Sequence, residues 1–330
     1  MTRQRIFTLA TALLVAGGLA GCSIGPVNLD DFFGTPSVEE AREARRAEQA
    51  PVVADAALKQ SGTLTVGIPA AQTAPLAITT ASGTQTGIDI DMAYALADEL
   101  GLSAVSFVAV DDVDDALADT CDIVMGVEPD EAGEAAVVGG YVQNAAGLFT
   151  RGDVTAPVDA SALDGATVAL QEGSVSAQLV GDFELDIVRT PFANLNDAFE
   201  ALEEGSVQYV VCDAYAGAYL AAAYSDVSFA GTFDEPTLVG VAIADAELQT
   251  AVQSALETIQ TNGVADIARA RWVGDLPTLT TESVITGLVE RTEEAEPEEG
   301  SEAEDEAAAE TDGAAAETGD AAAETPAEWV

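Results

Sequence analysis

Between Gly62 and Leu102 the chain spells a strand, an interrupted loop and a helix, and that order commits it to an α/β fold. Leu64 to Ile68 is a short alternating run rich in β-branched residues, the pattern of a strand. Pro69 and Pro75 stop regular structure, because proline lacks an N–H and fixes φ. A turn from Ser82-Gly83 to Gly87 leads into the helix. Ala93, Leu96, Ala97 and Leu100 recur there at i, i+3, i+4 and i+7, and Gly101 ends it. Asp89 and Asp91 fall near the helix start, where either carboxylate is expected to accept from free backbone N–H groups.

The same grammar continues downstream. Ala104–Val110 reads as a strand, Val113–Ala118 as a short helix and Cys121–Val127 as a buried strand. Ala145–Asp153 reads as a strand leaving this unit. A second series follows: Thr167–Ser174 as a strand into a helix from Val175, Asp186–Phe192 as a strand, and a helix bearing Leu195, Phe199 and Leu202 up to Gly205. A strand then runs to Asp213 and into a further helix. Val239–Ile243 precedes a helix striped by Leu248, Val252, Leu256 and Ile259, and Ile267–Trp272 closes the series before Gly274. Strands alternating with helices imply parallel sheets with βαβ crossovers.

Composition narrows the function. The chain has 58 acidic and 11 basic residues, a formal net charge of -47, and no histidine. Such a field repels nucleic acid, whose phosphates need Lys and Arg. Without histidine the commonest metal ligand and general base are gone, so no metal, cofactor or catalytic role is expected. At the N-terminus Arg3 and Arg5 precede an apolar stretch, Ile6 to Val15, too short for a spanning helix, and small residues ending Leu19-Ala20-Gly21-Cys22. Those four residues resemble a bacterial lipobox, which implies cleavage before Cys22 and a lipid on its sulfur holding the mature chain outside the membrane. Ser37–Ala50 reads as a surface spacer helix. From Glu293 the chain is Ala, Glu, Asp, Thr and Gly without a basic residue, a composition expected to stay disordered. Cys121 and Cys212 are expected to be free and packed, although an extracytoplasmic setting permits their pairing.

The opening run, G-T-L-T-V-G through G-I-D-I-D-M-A-Y-A-L-A-D-E-L-G, resembles family 3 of the extracytoplasmic solute-binding proteins, the amino-acid-type receptors of ABC importers. Arg271-Trp272-Val273-Gly274 matches the family's closing run. The resemblance covers about residues 62–275 and implies a two-lobe periplasmic-binding-protein-like type II fold with two crossover strands, near Tyr141–Arg151 and Thr232–Ile243. The organisation expected is a signal peptide over 1–21, a lipidated cysteine, linker and spacer helix over 22–60, lobe 1 over 61–145 and 238–280, lobe 2 over 146–237, and an acidic tail over 281–330. It implies a monomer that closes on a small polar solute and delivers it to permease and ATPase subunits.

Ligands of open α/β sheets sit beyond the carboxyl ends of strands. The candidates there are Gln72 in the first loop, Gly126 and Glu128 in a turn, Gly173, Ser174 and Val175 at a helix start, and Asp213. The resemblance assigns Gln171-Glu172-Gly173-Ser174 to a ligand carboxylate and Asp213 to a ligand amino group. One position departs. Where amino-acid binders carry an arginine clamp for the α-carboxylate, this chain has Glu131, within Glu128-Pro129-Asp130-Glu131-Ala132. The aromatic residue usual in the first loop is also absent. The sequence therefore favours a binding protein with specificity altered from ordinary amino acids. A scaffold or sensor that has lost its solute, and a dehydratase-type enzyme on the same fold, are the alternatives.

Overall fold

The computed structural model describes residues 50–72 and 74–291, together with Ala44. The lipobox, the spacer helix apart from Ala44, and the acidic stretch from 292 onward lie outside the described residues.

Two five-stranded sheets form the body. The first is built from β1 (Thr63–Pro69), β4 (Ala104–Val110), β5 (Ile123–Val127), β6 (Ala136–Asn144) and β12 (Thr237–Ile243), in the order β4-β1-β5-β12-β6. β1 pairs in parallel with β4 and β5, while β12 runs antiparallel to β5 and β6. A small hairpin, β2 (Ile78–Thr79) and β3 (Gln85–Thr86), precedes α1 (Ile88–Glu99), and α2 (Val113–Asp119) joins β4 to β5.

The second sheet repeats the plan. Its strands are β7 (Ala146–Arg151), β8 (Ala166–Gln171), β9 (Ile187–Phe192), β10 (Tyr209–Asp213) and β11 (Val227–Thr232), in the order β11-β7-β10-β8-β9. The helices α3 (Val175–Leu179), α4 (Leu195–Glu204) and α5 (Ala214–Ala221) connect them. β8 is parallel to both β9 and β10, and β7 is antiparallel to β10 and β11. The chain crosses between sheets at Ala145, from β6 to β7, and again over 233–236, from β11 to β12. α6 (Ala246–Thr261) and α7 (Val264–Val273) then return to the first lobe, where α7 packs against α1.

The helices form where the apolar periodicity placed them. α1 buries Ile88, Met92, Ala93, Leu96 and Ala97, and α6 buries Leu248, Val252, Leu256 and Ile259. Leu64, Val66, Ile123 and Met125 complete that core from the sheet. Burying a side chain of this size is worth about 1.5–3 kcal/mol each, so the lobe rests on its apolar face. Cys121 and Cys212 are both buried and free, Cys121 just before β5 and Cys212 within β10.

Two expectations need correction. α1 is not capped by Asp89 or Asp91: Gly87 is its N-cap and no side chain caps it. Asp89 turns inward and Asp91 turns to α7, where it accepts from Trp272 Nε1 at 2.8 Å and pairs with Arg271 at 3.1 Å. The acidic tail also does not begin at 281. After α7 the chain crosses a third time, with Ile285 only 2% exposed among Leu163, Val168 and Val211 of the second lobe. Val284, Thr286 and Glu290 bridge to Thr232, Asp159 and Phe183. Ile285, with the half-buried Val284 and Leu288, supplies enough apolar surface to hold this segment, which an average over the whole acidic stretch conceals.

Candidate functional site

Both crossings bring strand ends to one place. β1 and β5 of the first lobe and β8 and β10 of the second all end towards the gap between the sheets, and two adjoining cavities lie there. One, of about 290 Å³, is lined by Gln72, Gly126, Glu128, Glu131, Asp213 and Tyr215 among others. The other, of about 670 Å³, shares Glu128, Glu131 and Asp213 and adds Ser174, Val175 and Asp234. Seven of the eight candidate residues therefore meet at one cleft. Gly173 lines neither cavity.

The cleft is acidic throughout. Glu128, Glu131, Asp213 and Asp234 line it, and among the described residues no lysine or arginine does. Glu128 is held between the two crossover strands: it accepts from Asn144 Nδ2 at the end of β6, at 2.5 Å, and from the Thr237 hydroxyl at the start of β12, at 2.8 Å. Asp213 ends β10 and caps α5, accepting from the Ala216 N–H at 2.7 Å. Burial pushes the Asp213 carboxyl up to about 6; its helix-cap hydrogen bonds oppose that rise, and Glu128 and Asp234 add to it. Asp234 accepts from the Ala146 N–H at 2.8 Å and is likewise raised, first by burial and then by Glu128. Glu131 is exposed at the rim.

Ser174 has a structural task. Its hydroxyl donates to the Gln171 carbonyl at 2.9 Å and accepts from the Ala177 N–H at 3.1 Å, capping the five-residue helix α3. Val175 beside it is 81% exposed.

Behind the cleft floor lies a buried chain of hydrogen bonds that joins the candidates Gln72 and Gly126 through Asp89 and Tyr141, which the candidate residues did not include. Asp89 is 0% exposed. Its Oδ1 accepts from the Tyr141 hydroxyl at 2.6 Å and its Oδ2 from Gln72 Nε2 at 2.9 Å. The Gly126 N–H donates to the Tyr141 oxygen at 2.9 Å. Burial pushes the Asp89 carboxyl up to about 7 against the pull of those two donors, and the Tyr141 hydroxyl is raised well above its usual range, chiefly by burial. Asp234, Asn144 and Tyr215 were also missed. Asp234 and Asn144 flank the crossings, and that position is the signal that would have found them.

The family profile of the bacterial extracellular solute-binding proteins, family 3, matches residues 64–275, more than half of the chain. The chain belongs to that family. An ancestral cationic amino acid solute-binding protein is 28% identical, with a TM-score of 0.55, over 64% of this chain and 96% of its own. A polar amino acid ABC uptake transporter substrate-binding protein from Streptococcus thermophilus, 18% identical, matches in fold with a TM-score of 0.57 over 67% of this chain and 89% of its own. The second substrate-binding domain of Lactococcus lactis GlnP, in an open conformation, is 17% identical with a TM-score of 0.55, over 66% and 97%. No curated protein matches the chain in sequence. Family 3 membership agrees with the two-lobe type II fold, and no helix among the described residues is long and apolar enough to cross a membrane.

Proposed function

We propose that this family 3 protein is the solute-capturing component of an ABC importer, held outside the cell membrane by a lipid on Cys22, and that its solute is a small cation rather than an ordinary amino acid. The observation that carries the reading is the charge of the cleft: among the described residues four carboxylates line it and no basic side chain does. An α-carboxylate entering it would face Glu131 with no arginine to receive it. A carboxylate desolvated there would have no cation to pair with, and the negative field of the cleft would oppose its entry. An amine or guanidinium would meet Asp213 and Glu128 instead, with the negative field drawing it in. The likeness to an ancestral cationic amino acid binder supports a cation in this cleft. Here the acidic rim extends the preference to cations that lack a carboxylate. The residues proposed to touch the solute are Gln72, Glu128, Glu131 and Asp213, with Gly126, Ser174 and Val175 shaping the opening.

A thermal-shift screen tests this. Putrescine, spermidine and arginine are compared with glutamine and glutamate. At about 100 times its Kd a solute stabilises by about 2.7 kcal/mol, and the polyamines are expected to give that concentration-dependent rise. A larger rise with glutamine or glutamate, or a flat response to every compound, would overturn the assignment.

A further inference from the structure

We propose that Asp89, which touches no solute, decides which end of the Gln72 amide faces the cleft, and so makes this point of the site select for hydrogen-bond donors. The inference rests on the cleft being the solute site. The direction of every bond in the buried chain follows from one fixed donor. The Gly126 backbone N–H can only donate, so the Tyr141 oxygen accepts from it at 2.9 Å. The hydroxyl proton of Tyr141 is then directed to Asp89 Oδ1, at 2.6 Å. An ionised carboxylate has no proton to give, so its second oxygen also needs a donor. The amide of Gln72 carries both a donor and an acceptor, and the pairing at 2.9 Å turns its NH₂ end to Asp89. The carbonyl oxygen is left at the other end, without a partner among the described residues, on a side chain that lines the cavity.

The pair leaves no room for a side chain beside it. Asp89 itself lines neither cavity and sits behind Gln72. A Cβ at position 126 would lie 2.2 Å from Gln72 Nε2 and 2.7 Å from Asp89 Oδ2, so the missing side chain of Gly126 is what lets the pair form. With its oxygen outward, Gln72 joins Glu128, Glu131 and Asp213 as one more acceptor, and a solute must bring donors on several sides to satisfy them.

The same logic gives the site a dependence on protonation. A proton on Asp89 Oδ2 would make it a donor, and the amide would turn so that its oxygen faces Asp89 and its NH₂ faces the cleft. The groups facing Asp89 are Tyr141 from β6, whose hydroxyl stays protonated, and the uncharged Gln72 and Gly126. Asp91 on the same helix is engaged by Arg271 and Trp272, and Glu128 lies on the cavity side of Gly126. Burial brings the Asp89 carboxyl to about 7, which places this turn near neutrality.

Asp89→Asn mimics the protonated form with its size and both hydrogen bonds retained. In the full chain at about pH 8, calorimetric titration with spermidine should give affinity weaker by about tenfold in Asp89→Asn. Wild type should lose a similar factor between about pH 8 and about pH 6 beyond the loss seen in the variant, which keeps only the titration of the cleft carboxylates. In a Gln72→Met background, which removes both ends of the amide, Asp89→Asn should have no further effect. Equal spermidine affinity in wild type and Asp89→Asn, or an undiminished effect of Asp89→Asn beside Gln72→Met, would overturn the proposal. Should wild type ignore spermidine, the cation reading fails separately. The solute-free side-chain amide resonance of Gln72 then decides the proposal: a shift on acidification that Asp89→Asn lacks supports it, and a pH-independent resonance refutes it.

Discussion

Replacing Gly126 with alanine probes the cleft floor most sharply, because two separate costs meet at that residue. Its φ is +71°, in the left-handed region where an L side chain costs about 1–2 kcal/mol. The new Cβ would also press on Gln72 Nε2 at 2.2 Å and on Asp89 Oδ2 at 2.7 Å. Moving Gln72 aside strips a buried carboxylate of one of its two donors, worth about 1.5–3 kcal/mol for a charged partner. Together the loss is about 2.5–5 kcal/mol, or a fall in Tm of about 5–20 °C for a body of this size. Gly173 is the matched control. Its φ is +72°, yet nothing lies within 4 Å of a Cβ built there, so Gly173→Ala bears the backbone cost alone. Calorimetric melting of both variants at one pH separates the two costs. Gly126→Ala falling no further than Gly173→Ala would refute the crowded floor and the network it protects.

Three further outcomes follow from the same structure. Ile285→Ala empties a side chain that is 2% exposed under the second sheet, and urea unfolding should show a loss of about 2–5 kcal/mol; a loss under about 0.5 kcal/mol would mean that 281–291 does not belong to the body. The raised carboxyls tilt stability with pH. Asp89 and Asp213 hold protons in the folded state, to about 7 and about 6, that the unfolded chain releases near 3.8. Their contribution is therefore full below about pH 4 and is lost as pH rises through 6 and 7, with Asp89 accounting for about 4 kcal/mol; Asp89→Asn should flatten that slope in urea titrations at about pH 5 and about pH 8. Glu128→Gln keeps an oxygen for Asn144 and can offer its NH₂ to the Thr237 hydroxyl oxygen while removing a charge, so it should leave stability within about 1 kcal/mol of wild type and weaken a bound dication about tenfold.

Much of the scaffold was legible because it is written in local patterns. The strand at Leu64–Ile68, the stripe Ala93-Leu96-Ala97-Leu100 and the helix through Leu248–Ile259 are period-2 and period-3.6 signals, and the structure places an element at each. Most of the cleft was legible too, because strands that alternate with helices deliver their carboxyl ends to a common edge. The misreadings are all long-range. Asp89 stands where a capping residue stands in sequence, and only Tyr141, 52 residues later, and Gln72 reveal that it points inward. Asp234 meets Ala146 across 88 residues. The segment 281–291 was hidden by the acidic composition that follows it, although Ile285 alone buries enough surface to matter.

The proposed selection of the solute by negative charge in the cleft is tested with the fewest side effects by Asp213→Asn. Asparagine is as good a helix N-cap as aspartate, so the hydrogen bond to the Ala216 N–H and the start of α5 are kept while the charge is lost. Calorimetric titration of wild type and Asp213→Asn, with the polyamine that most raises the melting temperature, should show one site in each and an affinity weaker by about tenfold or more in the variant, at a solute-free Tm no lower than that of wild type. Equal affinity in the two proteins would contradict the claim.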